Sequence, residues 1–562
     1  MSNLEIAVLD KIAQEVGVKS SQVAGVIELL DDGNTVPFIT RYRKERTGNL
    51  DEVQIRDIQQ RVKSHRQLQE RAAAILKSIE SQGKLTPELQ KRINAAETLA
   101  ELEDLYLPYR PKKRTRAQIA RERGLEPFAD QLWNGDATIE TPRAAATTLV
   151  DPEQELPTVD DVLQGAADIL AERIAENSDV RETARRVAWK TGRLSISSVG
   201  DDANPAFRDY FDYSEAVGKI PPHRVLAINR GEAESALRVK FVWDGDTAQA
   251  KTVRLLKLHE HRFALFMMDV SADALSRLVM PSMEREIRRD LTQRAEQHAI
   301  EVFARNLRNL LLQPPVRGKR VLAIDPGFRT GCKIAVLDET GNCVATDVVY
   351  LTGSQAKKSA AREKLAQLIT EHDCNLIAIG NGTACRETEE VAAELIAEAH
   401  SDLRYVIVNE AGASIYSASE AAREEFPDFD ATTRGTISIG RRLQDPLSEL
   451  VKIEPQHIGV GMYQHDVSAK SLKESLDEVI ESCVNYVGVD LNTSGTALLS
   501  HVSGLNRRTA ANIVNWRNEH GPFRERRQLL DVAGLGQATY TQAAGFLKIL
   551  GGDEPLDATW IH

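Results

Sequence analysis

Aromatic residues make up only 5% of the 562 positions, low for a globular chain whose hydrophobic content is an ordinary 42%. Cysteine is scarcer: Cys332, Cys343, Cys374, Cys385 and Cys483 are five, an odd number, and no two form a CxxC pair. That spacing argues against a structural zinc site and against a disulfide framework, so the chain reads as reduced and cytoplasmic. No uninterrupted apolar run approaches a membrane span, and the opening MSNLEIAVLDKIAQ lacks the charged-then-apolar pattern of a secretory signal, so no membrane partner is expected. Positive charge is also short, with 71 Lys and Arg against 83 Asp and Glu and a net charge of −12. Such a chain cannot coat nucleic acid indiscriminately; any contact must come from local basic faces. Nucleotide loops are missing too. GNGTACRETEE has neither the spacing nor the lysine of a phosphate-binding loop, and GVGMYQHD has no dinucleotide-fold setting. No Ser-His-Asp or Cys-His signature is present.

What is there is length, enough for several cores, and one stretch that reads as a complete chemical fold. From Val321, RVLAIDPGFRTGCKIAVLDETGNCVATDVVYL gives three Val- and Ile-rich runs separated by turns, hence three strands. Helical spacing over 356–372, a fourth strand in LIAIGNG, a helix over 385–400, a fifth strand in YVIVNEAG and a helix over 435–452 follow. This strand order, with acids beside strand ends, resembles the ribonuclease H-like plan in its YqgF or RuvC-type form. Such folds hold two metal ions between carboxylates for phosphodiester hydrolysis.

RuvC-type enzymes place acids on the first strand, at the end of the fourth strand and on the last helix. Here Asp325 stands on the first strand, Glu410 follows the fifth, and the last helix offers Asp445. The fourth strand ends in Asn381 and Thr383 with no acid, and Asp428 and Asp430 lie in a preceding loop. Asp325, Glu410 and Asp445 are therefore the candidate catalytic residues, with Mg²⁺ or Mn²⁺ as the metal if the site is active. The missing acid favours a degenerate scaffold that needs no cofactor, and no metal site is assigned. The bland alternatives are that Asp325 caps its turn and that Asp445 pairs with Arg441 or Arg442 on one helix.

Residues 1–200 read as helical, with a helix-turn-helix-like segment. Within them NTVPFITRYRKERTGNLDE gathers Arg41, Arg43, Lys44 and Arg46 around Phe38 and Tyr42, read as a solvated basic turn tied to acids. YRPKKRTRAQIARERG is the most basic stretch, and Lys112, Lys113 and Arg114, beside Tyr106 and Tyr109, are candidate nucleic-acid contacts by phosphate pairing and base stacking. Residues 201–320 read as a mixed α/β and long-helix connector, with strands in PPHRVLAINRGE and ALRVKFVWDGD. His259 and His261 share one face of an extended segment but have no third ligand near, and read as surface histidines.

The clearest binding signal lies at the C-terminal end. VSGLN at 502–506 and VAGLG at 532–536 repeat an apolar–x–Gly–Leu–x phrase between helical segments, resembling a tandem helix-hairpin-helix module. Gly534 and Gly536 are expected to supply positive φ, with Asn506 standing in for the second glycine of the first copy. The following helices would then aim free N–H groups at a phosphate. Arg507, Arg508, Arg517, Arg524, Arg526 and Arg527 are near, and residues 501–550 hold seven Lys or Arg against three Asp or Glu. Gly504, Leu505, Asn506, Arg507, Arg508, Gly534, Leu535 and Gly536 are the candidate binding residues, the second copy being the better formed.

The phrases VPFITRYRKERTGNLDE, LEDLYLPYRPKKRTRA and FRDYFDYSEAVGKIPPHRVLAINRGE closely resemble the bacterial Tex family of transcription accessory proteins, along essentially the whole chain. The expected architecture is a multidomain, helix-rich α+β protein: the helical region 1–200, the connector 201–320, a YqgF/ribonuclease H-like domain over 321–455, a helical connector over 456–500 and tandem hairpins over 501–562. The resemblance also implies an OB-fold RNA-binding domain past the hairpins; the sequence shows none, so a truncated or short member with weaker RNA affinity is expected. It implies a non-enzymatic accessory factor, a monomer that binds RNA or single strands without sequence specificity and contacts the transcription machinery. A metal-dependent nuclease or resolvase is the rival, and a protein-interaction scaffold the third reading.

Overall fold

The computed structural model describes residues 6–111, 114–200, 204–351, 355–398 and 402–562. No helix among them is long and apolar enough to cross a membrane. The chain divides into two compact units, one formed by 1–59 with 299–562 and the other by 60–298.

The 60–298 unit is built around the helix Val159–Ala175, whose Ala166, Ile169, Leu170 and Ile174 are fully buried. Thr158 and Asp161 close its N-terminus with a reciprocal capping box. A three-stranded antiparallel sheet lies in the same unit, with β1 (Arg193–Ser198) between β2 (Asp212–Ala216) and β3 (Leu237–Val242). The ALRVKFV strand is thus present, but PPHRVLAINRGE is not a strand. It forms the helix Pro222–Ala233, because a proline in the first turn gives up no hydrogen bond and pre-sets φ. Gly231 lets that helix close on Leu237 and Phe207; a Cβ there would stand 2.5 Å from Leu237. Asp104 and Glu286 meet Arg181 and Arg185 in a buried ion quartet that ties three helices together.

In the other unit the five strands form one mixed sheet in the order β6-β5-β4-β7-β8. Here β4 is Val321–Asp325, β5 Cys332–Leu337, β6 Cys343–Val349, β7 Leu376–Gly380 and β8 Arg404–Val408. The hairpins β4–β5 and β5–β6 are antiparallel, while β4, β7 and β8 run parallel across helical crossovers. Leu322, Ile324, Ile334 and Ile377 pack under the helices Gln355–Glu371 and Cys385–Glu398. Val321, Ala323, Ala335 and Ala378 face the opposite way, under the helix Ala431–Gln444. Small residues on that face allow close approach: a Cβ on Gly440 would lie 2.9 Å from that of Ala323.

The N-terminal helices of this unit dock on its C-terminal hairpins. Tyr42, on the helix Val36–Tyr42, lies with its hydroxyl 2.8 Å from the Gly545 carbonyl and 3.1 Å from that of Trp560, and its ring meets Phe546 edge-on. Arg41 spreads over the Trp560 ring at 4.5 Å. The basic turn is therefore a packing seam. Arg43 lies over Phe38, and among the described residues only Arg46 takes the acidic partner expected of the turn, Glu28. Tyr42→Phe removes the one hydroxyl proton that these two carbonyls share and should cost about 1–2 kcal/mol, read as a lower urea midpoint for this unit.

Candidate functional site: a carboxylate cavity and the hairpin turns

Asp325 is the last residue of β4, on the face covered by the helix Ala431–Gln444. Glu410 follows β8 by two residues, in a turn held from below by the Arg442 guanidinium, which donates to the carbonyls of Asn409 and Ala411 (2.5 and 2.9 Å). The Glu410 N–H donates to the Asn381 side chain at 3.1 Å. Glycines form the floor beneath its carboxylate: a Cβ on Gly380 or Gly382 would come 2.5 or 2.1 Å from a carboxylate oxygen. The fourth strand thus ends in a cradle for the fifth-strand acid instead of an acid of its own.

The two carboxylates line one cavity of about 180 Å³ with Ser414, Ser417, Thr432 and Gly435. Burial pushes the Asp325 carboxyl above the usual range, and the Lys333 ammonium, on the residue directly opposite in β5, pulls it back. Glu410 is raised by burial and by the charge of Asp325, and its Oε2 has no hydrogen-bond partner.

Asp445 does not join them. It ends the helix Ala431–Gln444 and caps the next, Pro446–Leu450, accepting from the Ser448 N–H (3.1 Å) and hydroxyl (2.7 Å). Nor does it pair with the arginines: Arg441 bridges to Glu425, and Arg442 holds the Glu410 turn. Pro446 is the reason, since it breaks the helix expected to run to 452 and places Asp445 at the break. Asp430 caps the start of the same helix through Thr433. The helix residues that do line the cavity, Ala431, Thr432, Gly435 and Ile439, carry no acid. No group of three or more His, Cys, Asp or Glu among the described residues is arranged to hold a metal. A two-metal hydrolytic centre does not fit this donor set, which brings two carboxylates to the cavity where such a centre needs more.

The hairpin turns are built as pairs. In the first copy Gly504 takes φ +80, Leu505 follows, and Asn506 caps the helix Arg507–His520 in a reciprocal box with Thr509. In the second, Gly534 takes φ +84, Leu535 is buried, and Gly536 precedes the helix Gln537–Ala543. Positive φ belongs to the first glycine of each copy. Asn506 and Gly536 lie at φ −136 and −90, so asparagine is there as a cap and not as a stand-in for glycine. The first copy carries the longer helix, 14 residues against 7. Gly504 also sits tightly on the second copy, where a Cβ would be 2.8 Å from that of Gln542. The short parallel pair β9 (Val489–Asp490) and β10 (Leu547–Lys548) closes the module.

The nearby arginines sort into two kinds. Arg517 donates to the carbonyls of Leu491 and Ser494, and buried Arg526 to those of Leu547, Ile561 and Thr559. Burial lowers the pKa of both. Arg507, Arg508, Arg524 and Arg527 are exposed and have no ion pair among the described residues.

Family models match along the chain: a Tex-like protein N-terminal domain over 6–80, a Tex central region over 138–303, a Tex protein YqgF-like domain over 319–444 and a helix-hairpin-helix motif over 484–548. The protein tex of Bordetella pertussis is 48% identical over 572 residues, covering 99% of this chain and 72% of its own length. The transcriptional accessory protein Tex of Neisseria gonorrhoeae is 46% identical over 98% of this chain and 73% of its own. The human S1 RNA-binding domain-containing protein 1 is 40% identical over 96% of this chain and 55% of its own. The chain belongs to the Tex family. The YqgF-like match of this Tex chain ends at residue 444, one short of Asp445, and the hairpin match spans both glycine turns.

The remaining candidates belong to the 60–298 unit. Lys112 and Lys113 are outside the described residues; Arg114 pairs with Glu122 at 3.0 Å. Tyr106 is a core residue, 9% exposed and bonded to Ser78, and offers no face to a base. His261 accepts from the Phe263 N–H and donates Nε2–H to the Trp133 carbonyl, so its ring is structural.

The raised Asp325 and Glu410 carboxyls give a stability dependence of definite sign. A folded pKa above the unfolded one favours the fold fully below the unfolded carboxylate range, and that contribution is lost as pH rises through the raised value. Asp325→Asn should therefore raise the urea midpoint at pH 7 relative to the parent and leave it unchanged or lower at pH 4.

Proposed function

We propose that this Tex-family chain is a transcription accessory factor that binds RNA or single-stranded nucleic acid through its C-terminal hairpins, without reading sequence and without cleaving the strand. The observation that carries this reading is the sorting of the arginines. Two are consumed inside the module, and four face solvent without an acidic partner among the described residues, in a chain of net charge −12. The exposed Asn506-Arg507-Arg508 start of a 14-residue helix supports it further, because free N–H groups and the helix dipole favour an anion there. Contacts of this kind are to phosphates and carry no sequence information. The link to the transcription machinery rests on the names of the relatives, of which one is called a transcriptional accessory protein.

The nuclease reading keeps one observation in its favour, the shared cavity of Asp325 and Glu410. Against it stand the capped Asp445 and the glycine cradle at the end of β7.

One assay separates the two: labelled single- and double-stranded RNA and DNA, with Mg²⁺ or Mn²⁺ and with chelator, across a salt series. Salt-sensitive binding of intact strands is expected. Replacing both Arg507 and Arg508 by alanine should weaken binding and flatten the log–log salt slope for single strands by about 1.4, two contacts at about 0.7 each. Metal-dependent cleavage abolished by Asp325→Asn would make the chain a nuclease instead.

A further inference from the structure

The seam between the N-terminal helices and the hairpins carries charge that its packing does not use. Trp560 is held there from three sides. Tyr42 bonds its carbonyl, Arg526 donates to the carbonyl of Thr559 just before it, and Gly488, at φ +77, meets its ring, where a Cβ would stand 2.6 Å away. Two cations share the held indole. The Arg41 guanidinium, from the helix Val36–Tyr42, lies 4.5 Å from the ring centre, and the Lys548 ammonium, from β10, lies 3.4 Å from it. Both residues belong to one compact unit.

Neither cation has an acidic partner among the described residues. The acids near them are engaged elsewhere. Asp557 stands 3.7 Å from Arg526, and Asp490, beside Lys548 in the β9–β10 pair, accepts from the Asn492 and Thr493 N–H groups at 2.8 and 3.0 Å. Arg41 Nη2 reaches the Tyr486 carbonyl at 3.4 Å, and Nη1 is shut from solvent with no hydrogen-bond partner. Burial, and then the charges of Arg41 and Arg526, press the Lys548 ammonium below its usual range. An aromatic face attracts a cation by about 0.5–2 kcal/mol but does not cancel its charge, so two cations on one indole still repel.

This seam adjoins the first hairpin. Tyr486 follows Asn485, whose side chain donates to the His501 carbonyl and accepts from the Ser503 N–H, both at 2.9 Å. The helix Ala469–Val487, which meets Arg41, is therefore fastened to the Gly504 turn, on the module whose Arg507 and Arg508 face solvent.

We propose that Arg41 and Lys548, pinned together on Trp560, form a second phosphate site, one that takes a phosphodiester of a nucleic-acid strand. An anionic group beside the indole relieves the repulsion and supplies the counter-charge that both cations lack. The N-terminal helix thereby contributes directly to binding, and the strand touches residues from both ends of the sequence. The need for an anion follows from the two cations; naming a strand as its carrier rests on the reading proposed above.

The test is lysine footprinting of the unsubstituted full chain. An amine-acetylating reagent is applied with and without a saturating oligouridylate, and acetylation of Lys548 is read by mass spectrometry. Loss of acetylation is expected with the strand, and a bound strand that leaves Lys548 reactive overturns the site. Inorganic phosphate at the same phosphate concentration, and polyglutamate at the same charge, should leave Lys548 reactive; equal protection by either overturns the assignment to a strand. Lys548→Gln keeps the stem on the indole and removes the charge. It should flatten the log–log salt slope for single strands by about 0.7, in addition to the effect of replacing Arg507 and Arg508. An unchanged slope overturns the proposal and leaves the hairpin arginines standing. A flattened slope in a chain where the arginine replacements change nothing supports this site and removes the arginines from the contact.

Discussion

The carboxylate cavity depends on a guanidinium that never reaches solvent. Arg442 is 5% exposed, and burial brings its pKa down to about 10. A cation in that position is tolerated only with acceptors around it, and the Asn409 and Ala411 carbonyls supply two. Glu410, between them in sequence, and buried Glu449 add the attraction of two negative charges. The arginine therefore fixes the turn after β8, the turn fixes Glu410, and the glycines at the end of β7 receive its carboxylate. Because this ordering comes from one buried side chain on the covering helix, the cavity is a product of the core and not of a loose loop.

Much of this was legible in the sequence, because the signals are local. Strands β4 to β8 follow Val- and Ile-rich runs bounded by turns, and Asp325 and Glu410 stand just where a strand stops being covered. The Gly-Leu phrases identified both hairpin turns. What failed did so where a local signal had two meanings. Asp445 precedes a proline, which marks a cap as readily as a helix interior. PPHRVLAINRGE has an apolar content that suits a strand, but its prolines open a helix. Asn506 can adopt positive φ or cap a helix, and sequence alone cannot choose between them.

Long-range pairing was not legible at all. Nothing in VPFITRYRKERTG announces that Tyr42 will bond the Gly545 and Trp560 carbonyls, or that Arg41 will lie on Trp560, more than five hundred residues away in the chain. The same blindness applies to the six hairpin arginines, identical in sequence terms yet divided by burial into braces and solvent-facing charges. Basic stretches counted from sequence overstate the surface available to nucleic acid, because guanidinium groups also make good internal donors to carbonyls.

The placement of charge on the ribonuclease H-like sheet also limits what its cavity can do. Asp325 and Glu410 put two acids into one cavity, and among the described residues no third acid is placed to convert it into a metal cradle. Lys333, tied to two carbonyls of the loop between β4 and β5, stands beside Asp325 and draws its raised carboxyl back down. Two-metal hydrolysis needs several carboxylates converging on one point, and the residues lining this cavity supply two.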